Sequence, residues 1–125
     1  MRLNRVQLIG NLGKDAELRY TANGQPRLEF SLAVNDSYKK GDDWVDQTEW
    51  FNIVAWGDMA EACAGIEKGT PAFIEGKFKT RSWDGNDGQK HYKSEVIASI
   101  IRPLVKPPSR EQKAQVPADD DLPFE

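Results

Sequence analysis

The chain is short of the residues on which most site chemistry depends. Its 125 residues include one cysteine, Cys63, and one histidine, His91. A lone cysteine closes no internal disulfide, and this pair cannot complete a zinc centre or a catalytic triad. Cys63 reads as a small packing residue, and His91, beginning a strand after a loop, as solvent-facing. No apolar run is long enough for a signal peptide or a membrane span; the opening stretch MRLNRVQLIGNLGKD breaks too early. The expectation is a soluble, cytosolic protein without a membrane partner. Charge of one sign is also missing, with 17 Lys+Arg against 20 Asp+Glu for a net of −3, so the chain is not uniformly basic. Its carboxylates scatter through loops or crowd at the end rather than clustering as a metal nuclease requires. Asp42, Asp43 and Asp46 lack the glycine and final glutamate of a twelve-residue calcium loop. No catalytic residue, metal or cofactor is therefore expected.

What the chain does have is aromatic side chains: four Trp, three Tyr and five Phe. Where they point becomes the main question. Composition divides the chain near Lys106. Residues 1–105 alternate apolar and charged side chains. Residues 106–125 hold four of the seven prolines, no glycine, three basic and five acidic residues. This segment has too little apolar surface to offset its ordering entropy and is expected to be disordered. The division is a domain over 1–105, a Pro-rich linker over 106–118 and an acidic tip over 119–125.

The body reads as strands. Arg5 to Leu12 begins, Glu17 to Tyr20 continues, and Asn23-Gly24 signals a hairpin. Arg27 to Asn35 alternates Leu28, Phe30, Leu32 and Val34 with polar residues. Lys39 to Gln47 reads as a polar loop, with Trp44 left as an extra contact or a cap on the barrel. Thr48 to Trp56 is the next strand. Met59 to Ile66 is a short helix, with Asp58 as N-cap and Gly69 just past its end. Ala72 to Ser82, a glycine-rich hairpin loop over 84–88, and His91 to Ile101 complete the body. Five main strands with one helix between the third and fourth predict an all-β, five-stranded Greek-key barrel, the OB-fold.

Successive strand side chains face opposite ways. On Thr48 to Trp56, Phe51, Ile53 and Ala55 share the core parity, which leaves Trp50, Asn52, Val54 and Trp56 facing water. On the following strand Ile74, Gly76 and Phe78 take the core parity, and Lys77, Lys79, Arg81 and Trp83 the other. A basic row interleaved with indoles fits a groove for single-stranded nucleic acid: cations meet phosphates and flat rings accept bases, at about 1–3 kcal/mol per stacked base. A subunit interface also collects Trp and Tyr, but charges are depleted at interface centres.

The sequence resembles the bacterial-type single-stranded DNA-binding protein family. The matching stretches are Asn4-Arg5-Val6 through Gly10-Asn11-Leu12-Gly13, Leu18-Arg19-Tyr20, Asn23-Gly24, Gln47-Thr48-Glu49-Trp50, Ile74-Glu75-Gly76, Thr80-Arg81-Ser82-Trp83 and Asp119-Asp120-Asp121-Leu122-Pro123-Phe124. The resemblance implies base stacking on Tyr38, Trp50, Trp56 and Trp83, with Tyr38 and Trp56 standing where many members carry Trp and Phe. It implies basic contacts from Arg5, Lys79 and Arg81 and also from Arg19, and strand parity adds Lys77 to the row of Lys79 and Arg81. It implies a homotetramer, working at the nucleoid in the cytoplasm, that coats exposed strands in replication, recombination and repair.

A second implied function lies in the tail. Asp119, Asp120 and Asp121 would meet basic residues on replication, recombination and repair proteins, with Leu122, Pro123 and Phe124 as the apolar anchor. Here Glu125 follows the Phe on which members end. The 106–118 linker reaches at most about 45 Å. The acidic tip is also expected to sample the Lys77–Arg81 row when no DNA is bound. Three alternatives stay open: an RNA-binding or cold-shock-like module, an adaptor whose barrel binds protein, and an enzyme, which magnesium-dependent strand cleavage would reveal.

Overall fold

The computed structural model describes residues 1–104. The linker and the tip, with their docking and autoinhibition expectations, lie outside the described residues. The elements run β1 (Val6–Leu12), β2 (Glu17–Tyr20), β3 (Pro26–Lys40), β4 (Asp43–Trp56), α1 (Asp58–Ala62), β5 (Pro71–Asp84) and β6 (Lys90–Pro103). The sheet order is β1-β5-β6-β4-β3-β2, and a further β1–β3 pairing closes five of these strands into a barrel. The expected five-stranded barrel is present. The short β2 is a separate strand, hairpinned to β3 outside the ring. When it is counted, α1 falls between β4 and β5.

The closure point explains a glycine. Asn11 pairs with Ala33 and Leu12 with Leu32 where β1 crosses onto β3. A Cβ on Gly10 would run into the Ala33 carbonyl, so only glycine permits this approach. The core lies inside the ring. Leu28, Phe30 and Leu32 of β3, Ile53 of β4 and Ile74 of β5 are all essentially sealed from water. Burying each such side chain stabilises the fold by about 1.5–3 kcal/mol. The alternation of Leu28, Phe30 and Leu32 thus has its expected cause. Cys63 is buried with this cluster, as expected, and burial pushes its thiol pKa up.

Two long ribbons leave the barrel. Strands β3 and β4 stay in unbroken register from Arg27↔Trp56 to Lys40↔Asp43, and β5 and β6 pair out to Asp84↔Lys90. The Lys39 to Gln47 loop expectation is therefore corrected. That segment is paired strand around a two-residue turn, with Gly41 supplying a positive φ of 64°. Its polarity misled because a ribbon solvated on both faces needs no apolar side. Cross-strand polar pairs hold it instead, such as Ser37 Oγ donating to Asp46 Oδ1 at 2.8 Å.

The helix is also shorter than expected. It ends at Ala62, its N-cap is Gly57 rather than Asp58, and no side chain caps it. Downstream, Ile66 gives its carbonyl to Ala16 N–H at 3.0 Å, and Gly69 N–H donates to Leu12 O at 2.8 Å. These tertiary bonds pull the chain off the helical path, and Gly69 serves the turn into β5. Phe78 is corrected too: it is 48% exposed, because β5 has left the barrel by residue 77. Among the described residues no helix is long and apolar enough to cross a membrane.

Candidate nucleic-acid interface

Register assembles the outer face strand by strand. Arg19 of β2 lies opposite Arg27 of β3, which lies opposite Trp56 of β4. One row along, Glu29 pairs with Val54, Val54 with Ile97 of β6, and Ile97 with Lys77 of β5. Residues two apart along each strand share this face, so Trp50, Asn52 and Trp56 join Lys77, Lys79, Arg81 and Trp83 across β4, β6 and β5. Val54 sits on this face yet is buried, against the expectation from parity, because it forms the floor between Glu29 and Ile97. The three indoles remain open to solvent, Trp50 at 61%, Trp83 at 42% and Trp56 at 38%.

Each indole has a distinct setting. A Cβ on Gly13 would meet the Trp50 ring and the Ser31 hydroxyl, so this glycine leaves the space the ring occupies. The Arg27 guanidinium stands 5.7 Å from the Trp56 ring centroid, and the Arg81 guanidinium 4.9 Å from that of Trp83. On β6, the His91 ring stacks on Trp83 with centroids 5.7 Å apart. The expected solvent-facing histidine is partly exposed and has Asp87 Oδ1 at 3.3 Å from Nε2. A backbone N–H of Gln89 donates to Asp87 and holds its carboxyl below the usual range.

A chain of alternating charge crosses the middle of the face. Arg81 Nε donates to Glu95 Oε2 at 3.2 Å, and Arg27 Nη2 reaches the same oxygen at 3.3 Å. Arg27 Nη1 donates to Glu29 Oε1 at 2.9 Å, and Lys93 Nζ to Glu29 Oε2 at 2.8 Å. Glu95 is 5% exposed, and its two arginines supply the partners a buried carboxylate needs. Hydrogen bonding from Lys93, then from Arg27, holds the Glu29 carboxyl at about 2 against the opposing effect of burial. Trp56, Arg27, Arg81, Lys79, Glu95 and Ile97 surround a cleft of about 380 Å³.

The other expected residues stand apart to different degrees. Arg5 borders a second cleft beside Lys77, its Nε 3.7 Å from Glu75 Oε2. Arg19 is largely exposed with Glu17 Oε1 at 3.4 Å. Tyr38 is exposed on the β3–β4 ribbon, but its partner is Val45, which places it on the ribbon face opposite Trp50 and Trp56. Trp44, 69% exposed and paired with Lys39, shares the Trp50 side, so it caps nothing in the barrel. The residues around that ribbon tip are acidic on balance: Asp36, Asp42, Asp43 and Asp46 against Lys39 and Lys40.

Sequence reasoning missed Arg27, Glu29, Lys93 and Glu95. Arg27 and Glu29 were visible on the polar parity of their strand. Nothing in the sequence marks Glu95 as buried, because its burial depends on arginines from two other strands.

Comparison with known proteins agrees with this geometry. The model of the "Single-strand binding protein family" matches residues 3–104. The chain is 43% identical over 105 residues to "Single-stranded DNA-binding protein 1" of Chlorobaculum tepidum, covering 82% of this chain and 65% of that protein. It is 34% identical over 124 residues to "Single-stranded DNA-binding protein 1" of Xylella fastidiosa, covering 97% of this chain and 91% of that one. It thus spans just under two thirds of the first relative and most of the second. With a closed barrel and a matching family model over nearly all of its described residues, the chain belongs to the single-strand binding protein family.

Proposed function

We propose that this chain binds single-stranded DNA with little regard to sequence, by stacking bases on Trp50, Trp56 and Trp83 while Lys77, Lys79 and Arg81 meet the phosphates. The observation that carries the reading is the shared outer face. Three solvent-open indoles and a basic row lie together across β4, β6 and β5. The names of both relatives support it. Bases in a duplex have no free faces, so the same surface favours single strands. Arg5, bordering the cleft beside Lys77, and Arg19, in the Arg27–Trp56 row, extend the cationic path. Tyr38 takes a base only if the strand passes round the edge of the β3–β4 ribbon.

The rest of the proposal follows the resemblance. The chain acts as a binding protein rather than an enzyme, coats exposed strands in replication, recombination and repair, and assembles as a homo-oligomer, a tetramer. Residues 119–124 dock on partner proteins of those processes, with Phe124 as anchor. The protein works in the cytoplasm at the nucleoid.

The test is intrinsic Trp fluorescence during titration with a dT oligomer, with matched duplex in parallel and at several salt concentrations. Strong quenching by dT and little by duplex is the expected result. Affinity should fall with salt at a slope of roughly −0.7 for each phosphate neutralised. A folded protein whose fluorescence dT leaves unchanged would overturn the reading and turn attention to protein partners for this face.

A further inference from the structure

We propose that Arg27 and Lys93 form a backbone-phosphate subsite whose resident anion, when no DNA is bound, is the Glu29 carboxylate. The inference rests on the proposed binding of single-stranded DNA and adds two cations and one regulating carboxylate to it.

The two glutamates of the ion-pair chain are held differently. Glu95 is sealed from water and shared by Arg27 and Arg81, so it anchors both guanidinia in place. Glu29 and Lys93 each keep about a third of the side chain open to solvent. Glu29 presents one oxygen to each cation, at 2.9 Å and 2.8 Å, which is how a phosphate would engage an arginine and a lysine side by side. Its carboxyl stays ionised through the whole working pH range. Removing Glu29 from the pair leaves Arg27 still anchored by Glu95, so the subsite keeps its shape when the carboxylate yields.

Position ties the subsite to the strand. Arg27 stands over the Trp56 ring, so a strand whose base stacks on the open part of that ring passes its phosphate within reach of the guanidinium. Glu29 lies in the next row of the same face, between Glu17 and Val54. A tethered carboxylate is a counterion that DNA cannot release into solution. Arg27 and Lys93 therefore contribute less to the salt dependence of binding than Lys77 and Lys79, which have no ion pair within 4 Å among the described residues. The device limits affinity at low salt and favours a ligand that offers stacking along with charge.

The experiment uses the full chain and a dT oligomer, with affinity measured by Trp quenching across a salt series. Glu29→Gln keeps the shape and removes the charge. It should tighten binding at low salt by roughly threefold or more. It should also steepen the salt slope by about 0.7 for each cation it frees. Lys93→Gln should weaken binding yet change the slope by much less than about 0.7, because Glu29 already neutralises that cation, and adding Glu29→Gln to it should restore less than Glu29→Gln gains alone. Glu61→Gln, on α1 and outside the face, removes the same net charge and should change neither quantity. Thermal melting of each variant confirms that it is folded. If wild type binds dT while Glu29→Gln matches it in affinity and slope, or binds more weakly, the subsite is overturned and the proposed function stands. If wild type does not bind dT, both fall.

Discussion

Lys93 Nζ lies 2.8 Å from Glu29 Oε2 and ties β6 to β3 across the full width of β4. This contact and the bond from Arg27 hold the Glu29 carboxyl at about 2, below its ordinary value of 4.5. A depressed carboxylate stabilises the fold above its unfolded pKa and loses that contribution as pH falls toward the folded one. Wild type should therefore exceed Glu29→Gln by about 2 kcal/mol near neutral pH, after allowance for solvent screening. The gap should narrow between pH 4.5 and pH 2. Urea midpoints of both proteins across that range give the measurement. The same substitution is expected to strengthen DNA binding, so stability and affinity should move in opposite directions.

The indoles should not be equivalent. Trp50→Ala and Trp56→Ala should each weaken dT binding by about 1–3 kcal/mol, the worth of one stacked base. Trp44→Ala should leave it nearly unchanged, although Trp44 is the most exposed of the tryptophans on that side of the ribbon. The carboxylates around the ribbon tip repel phosphate where Trp44 stands. Titration of the three variants with one oligomer ranks them.

Gly13 should control the Trp50 ring. A methyl group there meets the indole and the Ser31 hydroxyl, so Gly13→Ala forces the ring to move. Overpacking of this kind costs about 1–3 kcal/mol. Gly13→Ala should fold with a lower melting temperature and a changed near-ultraviolet circular dichroism spectrum. Its quenching by dT should also fall short of wild type.

Tyr20 should ionise late. Its hydroxyl donates to Glu61 Oε2 at 3.0 Å, and that bond, then the carboxylate's charge, raises its pKa above 10.0. The bond is present below the raised pKa and lost as pH climbs through it. Ultraviolet titration of phenolate absorbance should show one tyrosine lagging, and Glu61→Gln should bring it back toward the ordinary range.

Local order in the sequence determined much of this protein. Strict alternation over Leu28, Phe30 and Leu32 specified a strand with one buried face, because the side-chain period of a strand is two. The same parity placed Trp50, Trp56, Lys79, Arg81 and Trp83 on the side facing away from the core, and the structure puts them there. That logic needs only one buried face, and it failed where the burial itself ended. Phe78 keeps core parity on a strand that has already left the barrel, and Lys39 to Gln47 pairs as a ribbon with no apolar face to announce it.

The tertiary structure alone decided which charges meet. Arg27 and Glu29 come from β3 and Arg81, Lys93 and Glu95 from the β5–β6 hairpin, segments remote in sequence that only the pairing of β6 with β4 brings into one chain of ion pairs. It also decided that Val54 is floor rather than surface, that Tyr38 turns away from Trp50, and that α1 stops at Ala62. Periodicity reports which way a side chain points along its own strand. What it finds there depends on neighbours that sequence spacing does not encode.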